Sequence, residues 1–288
     1  MSDTVFKNFL LTDYKTLCSS FTQNDGDAIH RLLERYKNKV GDYEKNELSQ
    51  AIFIRLGWDY SYTDTIFNFY FIYLLALDII SKQDDCDCEY ICDFKIEKGK
   101  LYYRKKTNSK YKSRFYCKKE TIAEKSLDEK MFLFCLRNEL KKDSELFSKL
   151  ERLAHLNDSF VNFMPHPGYP YNQEKGTSNI LDSLNLMIDK IQKQSTNLED
   201  DKIKKMNEDW KNWFIKHRED YCLEGFYSIN EGGIQGTKFL TNENPIPTNR
   251  DDLIEYISTL ISKLEERADL INERLRKVND CGHVPAYR

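Results

Sequence analysis

The stretch CEYICDFKIEKGKLYYRKK, residues 88–106, is where the periodicity of the chain changes. Cys92, Phe94 and Ile96 alternate with Asp93, Lys95 and Glu97, a period of two that fits a strand with one apolar face. EKGK marks a turn, a second apolar stretch follows at 101–103, and the pattern predicts a β-hairpin. KYKSRFYCKK, residues 110–119, supplies a third strand.

On either side the apolar spacing is helical. In residues 26–40, Ile29, Leu32, Leu33, Tyr36 and Val40 form a stripe, with His30 beside it as a boundary residue. The run IFNFYFIYLLALDII, residues 66–80, reads as a core helix starting from Thr63, whose hydroxyl suits a cap. It is shorter than the ~20 residues a membrane span needs, and Asn68 and Asp78 interrupt it. Helical spacing returns at 126–142, at 145–156 and at 178–194, where Ile180, Leu184, Met187, Ile188 and Ile191 share a face. Residues 195–208 read as a loop or a solvated helix start, and Trp210, Trp213 and Phe214 share a face beyond it. In the final helix Asn249 is the cap, and Leu253, Ile257, Leu260, Ile261, Leu264, Ile271 and Leu275 are the stripe. The expected fold is α+β and predominantly α-helical, a helical body with a small antiparallel hairpin or sheet inserted around residues 88–118. A single domain over 1–288 is expected, with a subdivision at residues 160/161 as the alternative.

Composition narrows the function. Of 288 residues 40% are hydrophobic, 32% charged and 13% aromatic, which argues against disorder. A net charge of −3 gives no global attraction for nucleic acid or acidic membrane, so such binding needs a local patch. MSDTVFKNFLLTDYKTLC has acids before any apolar run and no small-residue cleavage site. It does not read as a signal peptide, eight cysteines then suit free thiols, and a cytoplasmic location without membrane association is expected.

That patch exists. LYYRKKTNSKYKSRFYCKKE, residues 101–120, holds eight Lys or Arg and one acid, interleaved with five aromatics. Arg104, Lys105, Lys106, Lys110, Lys112 and Arg114 are the candidate nucleic-acid contacts. DDCDCEYICD just before it carries five acids, so neutralisation across the hairpin is the competing reading. Asp93-Phe94-Lys95 has the D-x-K form of metal-dependent nuclease strands, against the plainer reading of an exposed pair on a wet sheet face. Cys86, Cys88, Cys92 and Cys117 lack the spacing of zinc knuckles, so packed thiols are expected and no metal is assigned. EGGIQG, residues 231–236, has no following Lys-Ser/Thr and reads as a turn. No G-x-S-x-G elbow and no H-E-x-x-H occurs.

VNFMPHPGYPYNQEKG, residues 161–176, holds three of the six prolines. Each fixes φ and removes an N–H, and each holds the residue before it extended. They make a stiff crossover between helices on which His166, Tyr169, Tyr171, Asn172 and Lys175 are candidates for display to a ligand. The segment resembles the NFMP…N…(K/R)G stretch of poorly characterised bacterial proteins, some encoded near phage-defence loci. More distantly it resembles the second half of an HNH nuclease module. That second resemblance implies Asn162 as the middle Asn, Asn172 on the metal side and Lys175-Gly176 as the trailing pair, with His166 as the nearby histidine. The His that opens an HNH module is missing from its place, since His155 lies only seven residues before Asn162 and follows Ala. The expectation is a defence-associated protein that binds nucleic acid, a ligand or a protein partner through the basic hairpin and this loop. A metal-dependent nuclease using Asp93 and Lys95 or the loop is one alternative, the only one implying a cofactor, a divalent metal. A purely structural or regulatory interaction protein is the other.

Overall fold

In the computed structural model of the chain, the residues described are 7, 10–11, 47–59, 61–69, 72, 75–76, 79–80, 92–97, 100–105, 112–114, 142–157, 159–168, 171, 183–197 and 201–280. They form five named helices and three small antiparallel sheets, a predominantly helical α+β fold. The stripe at 26–40 with His30 and the helical reading at 126–141 lie outside the described residues, as does Ile180 of the 178–194 stripe.

Helix α1, Glu47–Leu56, ends in a two-bond cap. The N–H of Gly57 donates to Ile54 O (3.1 Å) and that of Trp58 to Phe53 O (2.7 Å). Gly57 supplies the left-handed φ of 73° this cap needs, and the turn sends Trp58 into the core. The chain then forms strand β1, Thr63–Thr65, and does not begin a helix at Thr63. Residues 69, 72, 75, 76, 79 and 80 are helical, so the helix starts later than its apolar run suggests. Pairing explains the difference: β1 runs antiparallel to β5, Phe163–Pro165, with Asp64 opposite Met164.

Strands β2, Cys92–Glu97, β3, Lys100–Lys105, and β4, Lys112–Arg114, form the expected hairpin and third strand in the order β2-β3-β4. Helix α2, Ser144–Asn157, is capped by Asp143, whose Oδ1 accepts from Leu146 N–H (3.1 Å). A 3₁₀ turn, Phe160–Asn162, leads into β5.

Helix α3, Leu184–Asn197, buries Leu184, Met187, Ile188 and Ile191, as its spacing predicts. Helix α4, Asp201–His217, begins only a few residues later, so 195–208 is mostly helical. EGGIQG is more than a turn: β6, Tyr227–Asn230, and β7, Gly233–Gly236, make a hairpin. The outer edge of β7 is occupied by α3, with Ile234 N–H donating to Gln192 Oε1 (3.1 Å) and Gly236 N–H to Asp189 Oδ1 (2.8 Å). Gly236 is required because a Cβ there would lie 2.1 Å from Asn185 O.

Helix α5, Arg250–Asp280, carries the stripe that closes the core. Asn249 caps it, Oδ1 accepting from Asp252 N–H (3.0 Å). Leu253, Ile257, Leu260, Leu264, Ile271 and Leu275 are buried and Ile261 packs against them. One apolar cluster takes in residues from Leu10 to Leu275 and so draws on both sides of the 160/161 subdivision. Among the described residues no helix is long and apolar enough to cross a membrane.

Candidate functional site

The three-stranded sheet sorts its charges by face, because residues opposite one another across antiparallel strands share a face. One face carries Asp93 opposite Arg104, Glu97 opposite Lys100, and a row of Lys95, Tyr102 and Ser113. Both acids on this face stand opposite cations, the neutralised arrangement. The other face carries Cys92 opposite Lys105, a row of Phe94, Tyr103 and Lys112, and a row of Ile96, Leu101 and Arg114. It holds three cations, two aromatic residues and no acid among the described strands. Arg104 is thus separated from Lys105, Lys112 and Arg114, while Lys106 and Lys110 lie outside the described residues. Asp93 and Lys95 share the neutralised face. Of the four cysteines weighed as thiolate ligands, Cys92 lies on the acid-free face and Cys86, Cys88 and Cys117 are outside the described residues.

The proline loop belongs to a different sheet, β1–β5, so Asp93 and Lys95 share no strand pairing with Asn162 or His166. Asn162 is fully buried. Its Oδ1 accepts from Phe67 N–H (3.0 Å), and its Nδ2 donates to Phe67 O (3.2 Å) and Asn157 O (2.8 Å). Its own carbonyl accepts from Ile66 N–H (2.7 Å). The amide therefore ties the 3₁₀ turn to the segment after β1, with both donor hydrogens used on backbone carbonyls.

Past β5 the described path is residues 166–168 and 171, with Pro167 among them fixing its own φ. His166 N–H donates to Tyr62 O (3.0 Å), and His166 Nδ1 accepts from Gly168 N–H (3.0 Å), which places the ring proton on Nε2. The ring is only 6% exposed and stacks on Tyr171 with centroids 5.1 Å apart. Tyr171 is not displayed to a ligand. It is buried against Trp210 and Phe214 of α4. Among the described residues of this corner, Tyr62 is the exposed ring, at 54%. Tyr169, Asn172 and Lys175 lie outside the described residues.

Two features escaped the sequence reading. Arg267 is buried on α5 without a carboxylate partner among its hydrogen bonds. Its guanidinium donates to the carbonyls of Val161, Phe163 (2.8 Å), Tyr221 (3.0 Å) and Cys222 (3.2 Å), and lies 5.5 Å from the Trp58 ring centre. Cys222 takes a left-handed φ of 54° in the turn that supplies two of those acceptors. Desolvation pulls Arg267 down to about 10, and the neighbouring Cys222 and Glu224 oppose that shift. The signal was present: Arg267 sits three residues after Leu264 and four before Ile271, inside the apolar stripe. The second feature is His217, whose Nδ1 lies 3.0 Å from Asp220 Oδ2 at the end of α4. Its ring packs on Trp213 and Tyr221, and Arg274 donates to the Asp220 carbonyl (2.6 Å).

Among the described residues, no three His, Cys, Asp or Glu side chains converge as a metal site requires. No family model, curated protein or solved structure matches the chain.

Proposed function

We propose that this protein binds nucleic acid through the acid-free face of the β2-β3-β4 sheet. The observation that carries the reading is the register, which collects Lys105, Lys112 and Arg114 on one face and leaves Asp93 and Glu97 opposite Arg104 and Lys100 on the other. Net charge is −3, so affinity must come from such a local arrangement. A role in phage defence belongs to this proposal through the loop resemblance alone. The hydrolytic alternative draws less support, because the Asn162 amide is taken up by backbone partners and Asp93 stands opposite Arg104.

The test is fluorescence anisotropy with labelled oligonucleotides across a salt series. Three phosphate contacts correspond to a log–log salt slope of roughly −2 to −3. Combined Lys105→Ser, Lys112→Ser and Arg114→Ser should remove most of the affinity and flatten that slope, while Arg104→Ser should change little. Absence of binding by the wild type at low salt, or an unchanged triple variant, would overturn the proposal.

A further inference from the structure

We propose that the free edge of the β6–β7 hairpin pairs with the same edge of a second copy of this chain, β6 against β6, about a two-fold axis at Ile229. The hairpin's register decides which backbone groups are open. Thr237 N–H donates to Phe226 O (2.9 Å) across the hairpin, and from there hydrogen-bonded and non-hydrogen-bonded pairs alternate along β6 and β7. Tyr227–Gly236 and Ile229–Ile234 are the non-hydrogen-bonded pairs, so their N–H and C=O groups point away from the partner strand. On β7 these groups are the Ile234 and Gly236 N–H donors that α3 takes up through Gln192 and Asp189. On β6 they belong to Tyr227 and Ile229 and face the side where, among the described residues, no strand is paired. Tyr227 O accepts from Arg218 Nε (2.8 Å), which closes that end of the edge. The backbone N–H and C=O of Ile229 have no partner among the described residues, and its side chain is 43% exposed. Ser228, Asn230 and Glu231 are exposed beside it.

A second copy fits because this edge is its own complement. In an antiparallel pair centred on Ile229, the N–H of each Ile229 donates to the carbonyl of the other, and the two exposed side chains meet. Ser228 then comes opposite the second copy's Asn230, and Tyr227 opposite its Glu231. Arg218 stands at Tyr227 with its bonds going to Tyr227 O and Glu224 O, its Nη1 unused and no ion pair made. Glu231 likewise makes no ion pair among the described residues. The two-fold axis sets each Arg218 beside the other copy's Glu231, so charge and backbone are satisfied together. A foreign strand would have to bring an apolar residue and an acid two positions beyond it, which Ile229 and Glu231 already are. One reciprocal pair of backbone bonds flanked by two ion pairs is a small contact, so the dimer is a transient one that dissociates on dilution.

The experiment is sedimentation velocity of the full chain from about 1 μM to about 1 mM, with amide hydrogen exchange at both ends of the series. A monomer–dimer equilibrium should appear, and exchange at the Ile229 amide should slow as concentration rises. The Ser228 amide, already paired within the hairpin, should not change. Ile229→Pro removes an N–H that β7 does not use, so the hairpin should persist and the dimer should be lost. Glu231→Lys sets a cation against Arg218 and should weaken the dimer at least about tenfold. A chain that stays monomeric at about 1 mM, or a dimer that leaves the Ile229 amide unprotected or ignores both substitutions, overturns the proposal. Protection of the Ile229 amide that does not depend on concentration means that another part of the same chain covers the edge, and overturns it too. The wild-type concentration series decides the matter even where a variant fails to fold.

Discussion

Replacing Asn162 by Ala separates a structural amide from a catalytic one. The substitution removes three hydrogen bonds, to Phe67 N–H, Phe67 O and Asn157 O, and leaves the buried Phe67 N–H without its acceptor. The two bonds to carbonyls contribute about 1 kcal/mol each net, and the orphaned buried Phe67 donor costs about 1–3 kcal/mol in place of the third. The expected loss is therefore about 3–5 kcal/mol, a large part of the stability of most domains. Asn162→Asp should be at least as damaging, since it sets a carboxylate against two backbone carbonyls that now accept from Nδ2. Urea unfolding followed by tryptophan fluorescence measures both variants, with the slope checked so that the midpoint shift can be read as stability. A loss under about 1 kcal/mol in Asn162→Ala would refute the reasoning. If metal-dependent cleavage were then found and lost in the same variant, the nuclease alternative would take its place.

The other predictions concern the core and the pH limits. Arg267→Met should destabilise by at least about 2 kcal/mol, because four carbonyls lose a charged donor and only part is recovered by not burying the cation; urea midpoints check this, and Arg267→Lys should recover only part of the loss since an ammonium lacks the fork. Gly236→Ala sets a methyl group 2.1 Å from a backbone oxygen and should separate β7 from α3, seen as faster hydrogen exchange at Ile234 and Gly236. Burial raises the phenols of Tyr221, Tyr227 and Tyr256 above their ordinary value of 10, so the stability they contribute is complete below pH 10 and falls as pH rises beyond it. Absorbance titration should show Tyr227 and Tyr256 ionising only as the fold is lost, and Tyr221 ionising above its ordinary range. The Arg250 side-chain hydrogen bond lowers the Asp143 carboxyl, so its contribution is present above pH 3.8 and lost as pH falls through the folded value. Asp143→Asn keeps a good helix cap and should flatten that acid limb in pH-dependent melting.

Elements with one dominant local signal were legible in the residues. The alternation at 92–97 fixes β2 because a period of two cannot bury one face of a helix, and the Asn249 cap with its stripe fixes α5. Thr63–Thr65 was not legible, since a three-residue strand exists only through its partner a hundred positions later. The β6–β7 hairpin was hidden for a similar reason: its Gly236 makes way for the Asn185 backbone, a neighbour that no local pattern names. In the candidate interface the sequence showed which charges were close together. Only the register showed which of them share a face, because a shift of one residue would exchange the two sets. Arg267 was visible as an interruption of a stripe, but its acceptors at Val161, Phe163, Tyr221 and Cys222 are a property of the tertiary fold.

The guanidinium of Arg267 also sets an order of events during synthesis. Its acceptors at Val161 and Phe163 are made 106 and 104 residues earlier. At about 5–20 residues per second, some 5–20 s pass between translation of that turn and of the side chain that completes it. Through this interval the carbonyls must stay hydrated, and the apolar surface awaiting Leu260 and Leu264 stays uncovered. A ribosome-bound chain should therefore hold its nascent core open to proteases and chaperones until residues 250–280 emerge, and then become resistant in one step.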